Sequence, residues 1–365
     1  MDIANVCLVI FSFLFLVQLC YNFFIYLKLA RHKEQKKTFS KSVSVVVCGY
    51  NEEKYWEALL DKLLEQEYPN FEIVLVNDQS IDNTKFVFKQ WENHPKIKLV
   101  EIGEDIKKGF GKKFALTLGI KAAMYDYLLL TDADCYPRDK DWISSMAQHF
   151  SNKTIVLGYG AYEKHKGLLN KLVRFDTFQV AMQYFSYALI GKTYMGVGRN
   201  LAYKKSLFFE NKGFANHLHL PSGDDDLFIK EVASPNNTAI SIAYCSHTLS
   251  VPKTTWKSWI RQKSRHLSTG IYYKNYHKMM LGLWTLSQAL FWFLFFALLF
   301  WQPFLHVIIS LFVIRLAVQM LVSYFIMKKL GEKDLIFLYP FLELLFIIFY
   351  FIFIVNRMIK KKRFW

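Results

Sequence analysis

Tyr127-Leu128-Leu129-Leu130-Thr131-Asp132-Ala133-Asp134 passes from an uncharged run straight into two carboxylates one residue apart. Such a short, continuously apolar run reads as a strand buried on both faces of a parallel sheet. Working outward, β-branched runs at Val43 to Cys48, Phe71 to Val76 and Ile97 to Val100 repeat the pattern. Helical stretches alternate with them at about Lys54 to Glu65, Asn83 to Asn93, Lys112 to Met124 and Asp141 to Phe150. That alternation, from Ser42 to about Leu157, predicts an α/β fold with helical crossovers. Sheets of this kind bind ligands beyond the carboxyl ends of their strands, so the residues after each strand are the ones to read for chemistry.

After the first strand comes Gly49-Tyr50-Asn51-Glu52-Glu53, and after the second Asn77-Asp78-Gln79-Ser80-Ile81-Asp82-Asn83-Thr84. Ser80 and Asp82 are placed to cap the helix that follows. Asp132 and Asp134 repel each other unless a cation or a donor lies between them. A hard divalent ion, Mg²⁺ or Mn²⁺, with oxygen ligands and substrate phosphates satisfies that need. Gly109-Phe110-Gly111-Lys112-Lys113 lacks the spacing of a phosphate-binding or dinucleotide loop, although a lysine opening a helix can serve an anion. Farther on, Ser222-Gly223-Asp224-Asp225-Asp226-Leu227 sets three carboxylates in a row; one is explained as an N-cap, and crowding raises the pKa of at least one, which suits a general base. His217 and His219 precede this cluster, either facing a second substrate or serving as ordinary loop histidines. Gln262-Lys263-Ser264-Arg265-His266 falls in a stretch with Trp256, Trp259, Lys253, Lys257 and Arg261, the composition of an interfacial amphipathic helix.

The composition sets the frame for these motifs. The chain has 365 residues, 53% hydrophobic, with 46 Lys+Arg against 30 Asp+Glu, a formal net charge of +16. Disordered, collagenous and disulfide-scaffold classes are excluded, and the five scattered cysteines form no CxxC pair. The apolar excess sits at the two ends. Residues 3–27 carry no charge and read as a membrane anchor (residues 1–27), because no basic region precedes them and no small-residue cleavage site follows. The basic linker 28–41 behind it places Met1 outside and the rest on the cytoplasmic side of the cell membrane.

Residues 281–355 carry further apolar segments, broken at Gln302-Pro303 and at Lys328 to Asp334, before a basic tail at 356–365. The last segment, Leu335 to Val355, contains Pro340 and Glu343; a re-entrant or interfacial path broken at Pro340 keeps the tail cytoplasmic. Arg315 is costly in mid-span. By helical rise it lies about 18 Å above Met327 and Glu343 about 12 Å above Leu335, so the two are expected to pair.

In this order the motifs resemble the membrane-bound branch of the family 2 glycosyltransferases of the GT-A fold, which includes ceramide glucosyltransferase, poly-N-acetylglucosamine synthases and cellulose synthase. The carriers are YNEE at 50–53, NDxSxDxT at 77–84, GK at 111–112, DAD at 132–134, GDDDLF at 223–228 and QxxRH at 262–266. The resemblance implies a Rossmann-like, cytoplasmic catalytic domain over 42–252, an interfacial region over 253–280 carrying QxxRH, and transmembrane or re-entrant helices over 281–355.

It further implies that Glu52 and Asp78 contact the base and ribose of a nucleotide-sugar donor, most often UDP-linked, with Lys112 near the nucleotide. Asp134 would ligate the metal with Asp132 in support, Asp225 would be the general base beside Asp224, and Gln262 and Arg265 would complete the site over the donor diphosphate. Two positions depart from the family pattern. Asn77 replaces the first acid of a DD pair, and His266 replaces a Trp that stacks on acceptor sugar in polymerising members, which argues against processive synthesis. The expected acceptor is a lipid or lipid-linked glycan, with a secreted polysaccharide second. A transporter would need more spans and midplane polar sites, an inactive scaffold would have lost Asp134 or Asp225, and no nucleic-acid reader motif is present.

Overall fold

The structure is a computed structural model describing residues 3–103, 111–220, 222–300 and 304–359. Gly109-Phe110, the Gln302-Pro303 break and the basic tail from residue 360 lie outside the described residues. Two units emerge, a sheet unit (Glu34–His165 and Gly191–Lys253) and a helical unit (Met1–Lys33, Lys166–Ile190 and Thr254–Trp365).

The sheet unit contains β1 (Val43–Gly49), β2 (Phe71–Asn77), β3 (Ile97–Glu101), β4 (Tyr127–Asp132), β5 (Cys135–Pro137), β6 (Ile155–Leu157), β7 (Gly160–Tyr162), β8 (Leu201–Lys204), β9 (Thr238–Ile240) and β10 (Thr248–Ser250). The four strands read from sequence are present, each one residue longer than predicted. β1 is buried at every position, because helices cover both faces and only β-branched and small residues pack there. The main sheet runs β3-β2-β1-β4-β8-β6-β9, with β3, β2, β1 and β4 parallel and β8 antiparallel to its neighbours. Chain order reverses between β1 and β4, where Cys48 registers against Asp132; this is the switch point at which open α/β sheets place their ligands. A smaller sheet, β5-β10-β7, lies in the same unit.

Its helices are α3 (Glu53–Leu64), α4 (Thr84–Gln90), α5 (Gly111–Ala122), α6 (Trp142–Ala147), α8 (Lys205–Glu210) and α9 (Asp226–Val232). Trp56, Leu59, Leu60 and Leu63 of α3 recur at helical spacing and are buried in one core with β1 and β2. The close approach explains Gly49. A Cβ there would clash with the Trp56 ring, so any larger residue would push α3 away from the turn after β1.

The helical unit holds α1 (Ile3–Cys20), α2 (Leu27–Arg31), α7 (Leu168–Leu189), α10 (Trp256–His266), α11 (Asn275–Leu298), α12 (Leu305–Leu330) and α13 (Tyr339–Ile359). A π-helical stretch, Tyr21–Tyr26, joins α1 to α2, so the N-terminal helix continues to Arg31, past the predicted end at Leu27. Among the described residues, four helices are long and apolar enough to cross a membrane: Ile3–Arg31, Asn275–Leu298, Leu305–Leu330 and Lys333–Asn356.

Two expectations are corrected here. Residues 166–190, taken as part of a contiguous 42–252 domain, pack as α7 in the helical unit. The predicted break at Pro340 is absent: Pro340 occupies the first turn of α13, where no intrahelical N–H bond is lost, and the helix runs on unbroken. Its later half nevertheless lies along the strongly basic α10, with Trp256 stacked on Phe349 at 5.1 Å.

The expected Arg315–Glu343 pair forms. Both residues are fully buried, and the guanidinium donates to both carboxylate oxygens, Nη1 to Oε2 at 2.7 Å and Nη2 to Oε1 at 2.6 Å. Gln18 accepts from Arg315 Nε at 2.6 Å, while Gln288, Trp292 and Gln319 donate to Glu343. One polar knot therefore ties α1, α11, α12 and α13 together. Removing one partner of a buried pair costs about 3–5 kcal/mol, whereas apolar replacement of both is often neutral. Glu343→Ala is therefore expected to lower the yield and Tm of the detergent-solubilised protein, and R315L/E343L to recover both; a Glu343→Ala variant with the wild-type Tm would show that the knot is not stabilising.

Candidate active site

The loops after β1, β2 and β4 are tied together by their own polar side chains. Asp82 accepts from Thr84 N at 3.1 Å with one oxygen and from Glu53 N at 3.0 Å with the other, so it serves the starts of both α4 and α3. Ser80 Oγ accepts from Asn51 N at 3.0 Å, and the amide of Asp78 donates to the Gly49 carbonyl at 3.0 Å. Ser80 thus links the loops rather than capping α4. Asn77 fixes its own turn by accepting from Ser80 N at 2.9 Å, a role for which an amide serves as well as a carboxylate.

Lys112 stands at the centre. Its ammonium reaches Asp132 Oδ1 at 2.6 Å and Asp224 Oδ2 at 3.0 Å, joining the end of β4 to the acidic cluster before α9. Burial works against its charge, but Asp132, Asp224 and Asp225 outweigh burial and hold its pKa well above the ordinary lysine value. Lys112, expected near the nucleotide, thus lies between the two acidic motifs. A small cavity here is lined by Cys48, Lys112, Asp132, Gly198, Asp224 and Asp225 among others.

The adjacent acids are treated differently. For Asp224 burial raises the pKa, yet Lys112 outweighs it and holds the group below the usual carboxylate range. Asp225 is pushed up to about 7, first by burial and then by the neighbouring Asp224 and Asp226. Both its oxygens are held: Oδ1 accepts from Asp226 N at 2.7 Å, making it the N-cap of α9, and Oδ2 accepts from Gly198 N at 2.7 Å. A fixed carboxylate with a pKa near neutrality is equipped to take a proton. Lys112→Met removes a positive charge that lowers the pKa of both acids, so the acidic limb of the pH–rate profile is expected to move to higher pH; an unmoved limb would disconnect Lys112 from the base.

Asp132, Asp134 and Cys135 offer ligand atoms within 4.8 Å of one another, and the two carboxylates make a donor set that fits a hard divalent ion. Asp134 Oδ1 accepts from Cys135 Sγ at 3.2 Å, and Cys135 contacts Ser250 Oγ at 2.9 Å. Glu52 is pushed up to about 7, mainly by burial and then by the negative charge of Asp134. Burial also raises Asp78. The buried Cys48 thiol feels Lys112, Asp78, Asp132 and Asp224 together, which marks the end of β1 as the point where these charges converge.

Sequence reasoning missed Arg199 and Lys113. Arg199 Nη1 donates to Ser250 Oγ at 3.1 Å, and its guanidinium lies 4.4 Å from the Tyr162 ring centroid. Tyr162, Cys135, Asp134 and Asp132 hold it charged against burial. Lys113, largely buried, donates to the carbonyls of His217 and Leu220 and so fixes the loop leading into the acidic cluster. Nothing in Gly198-Arg199-Asn200 has a recognisable spacing, and Lys113 was read only as the neighbour of Lys112. His217, considered as facing a second substrate, is buried, with Nδ1 3.4 Å from Glu231; burial and Lys113 lower its pKa. His219 is exposed.

Glu52, Asp78, Lys112, Asp132, Asp134, Asp224 and Asp225 all belong to the sheet unit. Gln262 and Arg265 belong to the helical unit, on α10, the first half-buried and the second exposed.

Comparison with known proteins bears on the family and the fold. Residues 44–209 match glycosyl transferase family 2. Over 94 residues the chain is 35% identical to a poly-beta-1,6-N-acetyl-D-glucosamine synthase of Staphylococcus epidermidis, covering 26% of this chain and 22% of that protein. Over 175 residues it is 26% identical to a dolichyl N-acetyl-alpha-D-glucosaminyl phosphate 3-beta-D-2,3-diacetamido-2,3-dideoxy-beta-D-glucuronosyltransferase of Methanococcus voltae, covering 46% of this chain and 50% of that one. The alignments thus span half or less of these relatives. A mannosyltransferase of Pyrobaculum calidifontis, solved in complex with GDP-Man and Mn²⁺, shares the fold with a TM-score of 0.57 at 18% identity, over 91% of this chain and 99% of that one. With the strand order, the Asp132-Ala133-Asp134 edge and the 44–209 match in agreement, the chain carries a family 2 glycosyltransferase domain of the GT-A fold.

Proposed function

We propose that the chain is an inverting, membrane-bound transferase that moves a sugar from a nucleotide-diphosphate donor to a hydroxyl of a lipid or lipid-linked glycan at the cytoplasmic face. The observation carrying this reading is the division of labour around Lys112: two carboxylates, Asp132 and Asp224, bridged by one cation, beside a separately held Asp225 with a raised pKa. Glu52 and Asp78, at the ends of β1 and β2, are assigned to the base and ribose. Asp134, supported by Asp132, would hold Mg²⁺ or Mn²⁺, whose chemistry is to neutralise charge on the donor diphosphate.

Asp225 accepts the proton of the acceptor hydroxyl. As the new bond forms between that oxygen and the anomeric carbon, the bond to the donor phosphate oxygen breaks and its electron pair leaves on the diphosphate. Attack opposite the leaving group inverts the anomeric centre in one step. Lys112, and Arg265 on α10, are the cations assigned to the leaving charge.

A lipid acceptor fits the four apolar helices and the long apolar α7. A synthase of an extracellular polysaccharide is the second reading, favoured by the 35% identity to the staphylococcal synthase and opposed by His266 in place of an acceptor-stacking Trp. Membranes containing the protein, incubated with a panel of radiolabelled nucleotide sugars, decide between them. Metal-dependent label in the lipid fraction is expected; label in a polymer selects the second reading, and no label in either fraction with any donor overturns both.

A further inference from the structure

α10 carries Gln262 and Arg265, and it does not rest on the rest of the helical unit by apolar contact alone. Trp259, fully buried, packs against Phe349 and Phe353 of α13 at centroid distances of 5.2 and 5.1 Å. Ser264 Oγ accepts from Asn356 Nδ2 at 2.7 Å. Lys263 turns inward to Asp176 of α7, Nζ to Oδ2 at 2.6 Å, with the carboxylate side chain only 4% exposed. Asp176 is the one acidic residue in the 22 residues of α7. A carboxylate buried in such a helix is costly and often contributes no more to stability than a well-packed apolar residue, so the buried Asp176–Lys263 pair points to a task of orientation.

Helix geometry supplies that task. Successive residues turn by about 100°, so Lys263 and Arg265 face directions about 200° apart. Fixing Lys263 on Asp176 therefore fixes Arg265 away from α7, and Arg265 is exposed while Trp259 and Ser264 are buried. We infer that Asp176 is a positioning residue for the reaction: by holding Lys263, it sets the rotation of α10 and with it the direction of Gln262 and Arg265. The inference rests on the assignment of Arg265 to the donor diphosphate.

The test uses the full-length protein in lipid nanodiscs, with the donor found by the radiolabel panel. Because a misplacement of about 1 Å costs up to about a hundredfold in rate, Asp176→Asn is expected to lower kcat about tenfold or more with donor KM within about twofold. The charge swap D176K/K263D is expected to restore kcat to within about threefold. If Asp176 acts through Arg265, D176N/R265A transfers no more slowly than R265A, since residues acting as one unit are not additive. Amide exchange over residues 256–266 is expected to quicken in Asp176→Asn. Should that variant not accumulate, D176N/K263Q, which leaves no buried charge unpaired, is read in the same way. Wild-type kcat in Asp176→Asn, or losses in the double variant that multiply, overturns the inference. If R265A transfers at the wild-type rate, the assignment of Arg265 falls, and unchanged amide exchange over α10 then overturns the positioning role as well.

Discussion

Asp225→Asn is expected to abolish transfer while leaving donor binding intact. The side chains are nearly isosteric, and the amide oxygen can keep one of the two backbone bonds, from Gly198 N or Asp226 N, that hold the native carboxylate. What is lost is the capacity to take a proton. A positioned general base contributes about 10²–10⁴-fold, and kcat is expected to fall by about that factor. Because the base works only when ionised and Asp225 is pushed up to about 7, wild-type kcat is expected to rise with pH through neutrality. The residual activity of Asp225→Asn should lose that rise. Donor affinity by calorimetry together with kcat against pH checks both statements; an active Asp225→Asn variant with the wild-type pH profile removes Asp225 as the base.

Asp224→Asn provides the control, and Lys112 is the reason the two acids differ. Asp224 is engaged by Lys112, which keeps it ionised, whereas Asp225 has no ion pair among the described residues and is raised by burial and its acidic neighbours. Losing Asp224 therefore loosens Lys112 and lowers the pKa of Asp225 through the loss of a negative neighbour. The acidic limb of the pH profile should then move down in Asp224→Asn and up in Lys112→Met.

These assignments were legible in sequence to different degrees, for physical reasons. β1 to β4 could be read to within one residue because strands buried on both faces admit only a narrow set of side chains, and the ligand-bearing turns follow those strands directly. The partnership of Arg315 with Glu343 was also legible, because two charges in apolar helices have few places to go. Arg199 was not. Its contact with Ser250 spans 51 residues and depends on how β10 lies beside β5 and β7. The grouping of α7 was equally hidden, since an apolar helical period says that a helix is buried and not against what. Pro340 misled because its meaning depends on its place in the helix: in the first turn it opens α13, and a few residues later it would have broken it.

Asp134→Ala should produce a loss as large as that of Asp225→Asn with the opposite signature. Asp134 Oδ1 is held by the Cys135 thiol, which lies against Ser250, and Ser250 in turn accepts from Arg199. The carboxylate therefore has a fixed direction, with the buried cation Arg199 at the far end of the chain. Asp132 cannot substitute for it, because one of its oxygens is already engaged with Lys112 at 2.6 Å. A metal neutralising the leaving diphosphate supplies several kcal/mol, so transfer is expected to fall by about 10³-fold or more. Metal-dependent donor binding should fall with it, where Asp225→Asn leaves binding untouched. Chelation of the wild-type protein should reproduce the loss, and chelation of Asp134→Ala should add little, because both remove the same contribution. Donor affinity measured across a Mn²⁺ titration separates the two carboxylates: a variant lacking Asp134 that still binds donor with the wild-type metal dependence would move the metal to other ligands and leave Asp134 with only its hydrogen bond to Cys135.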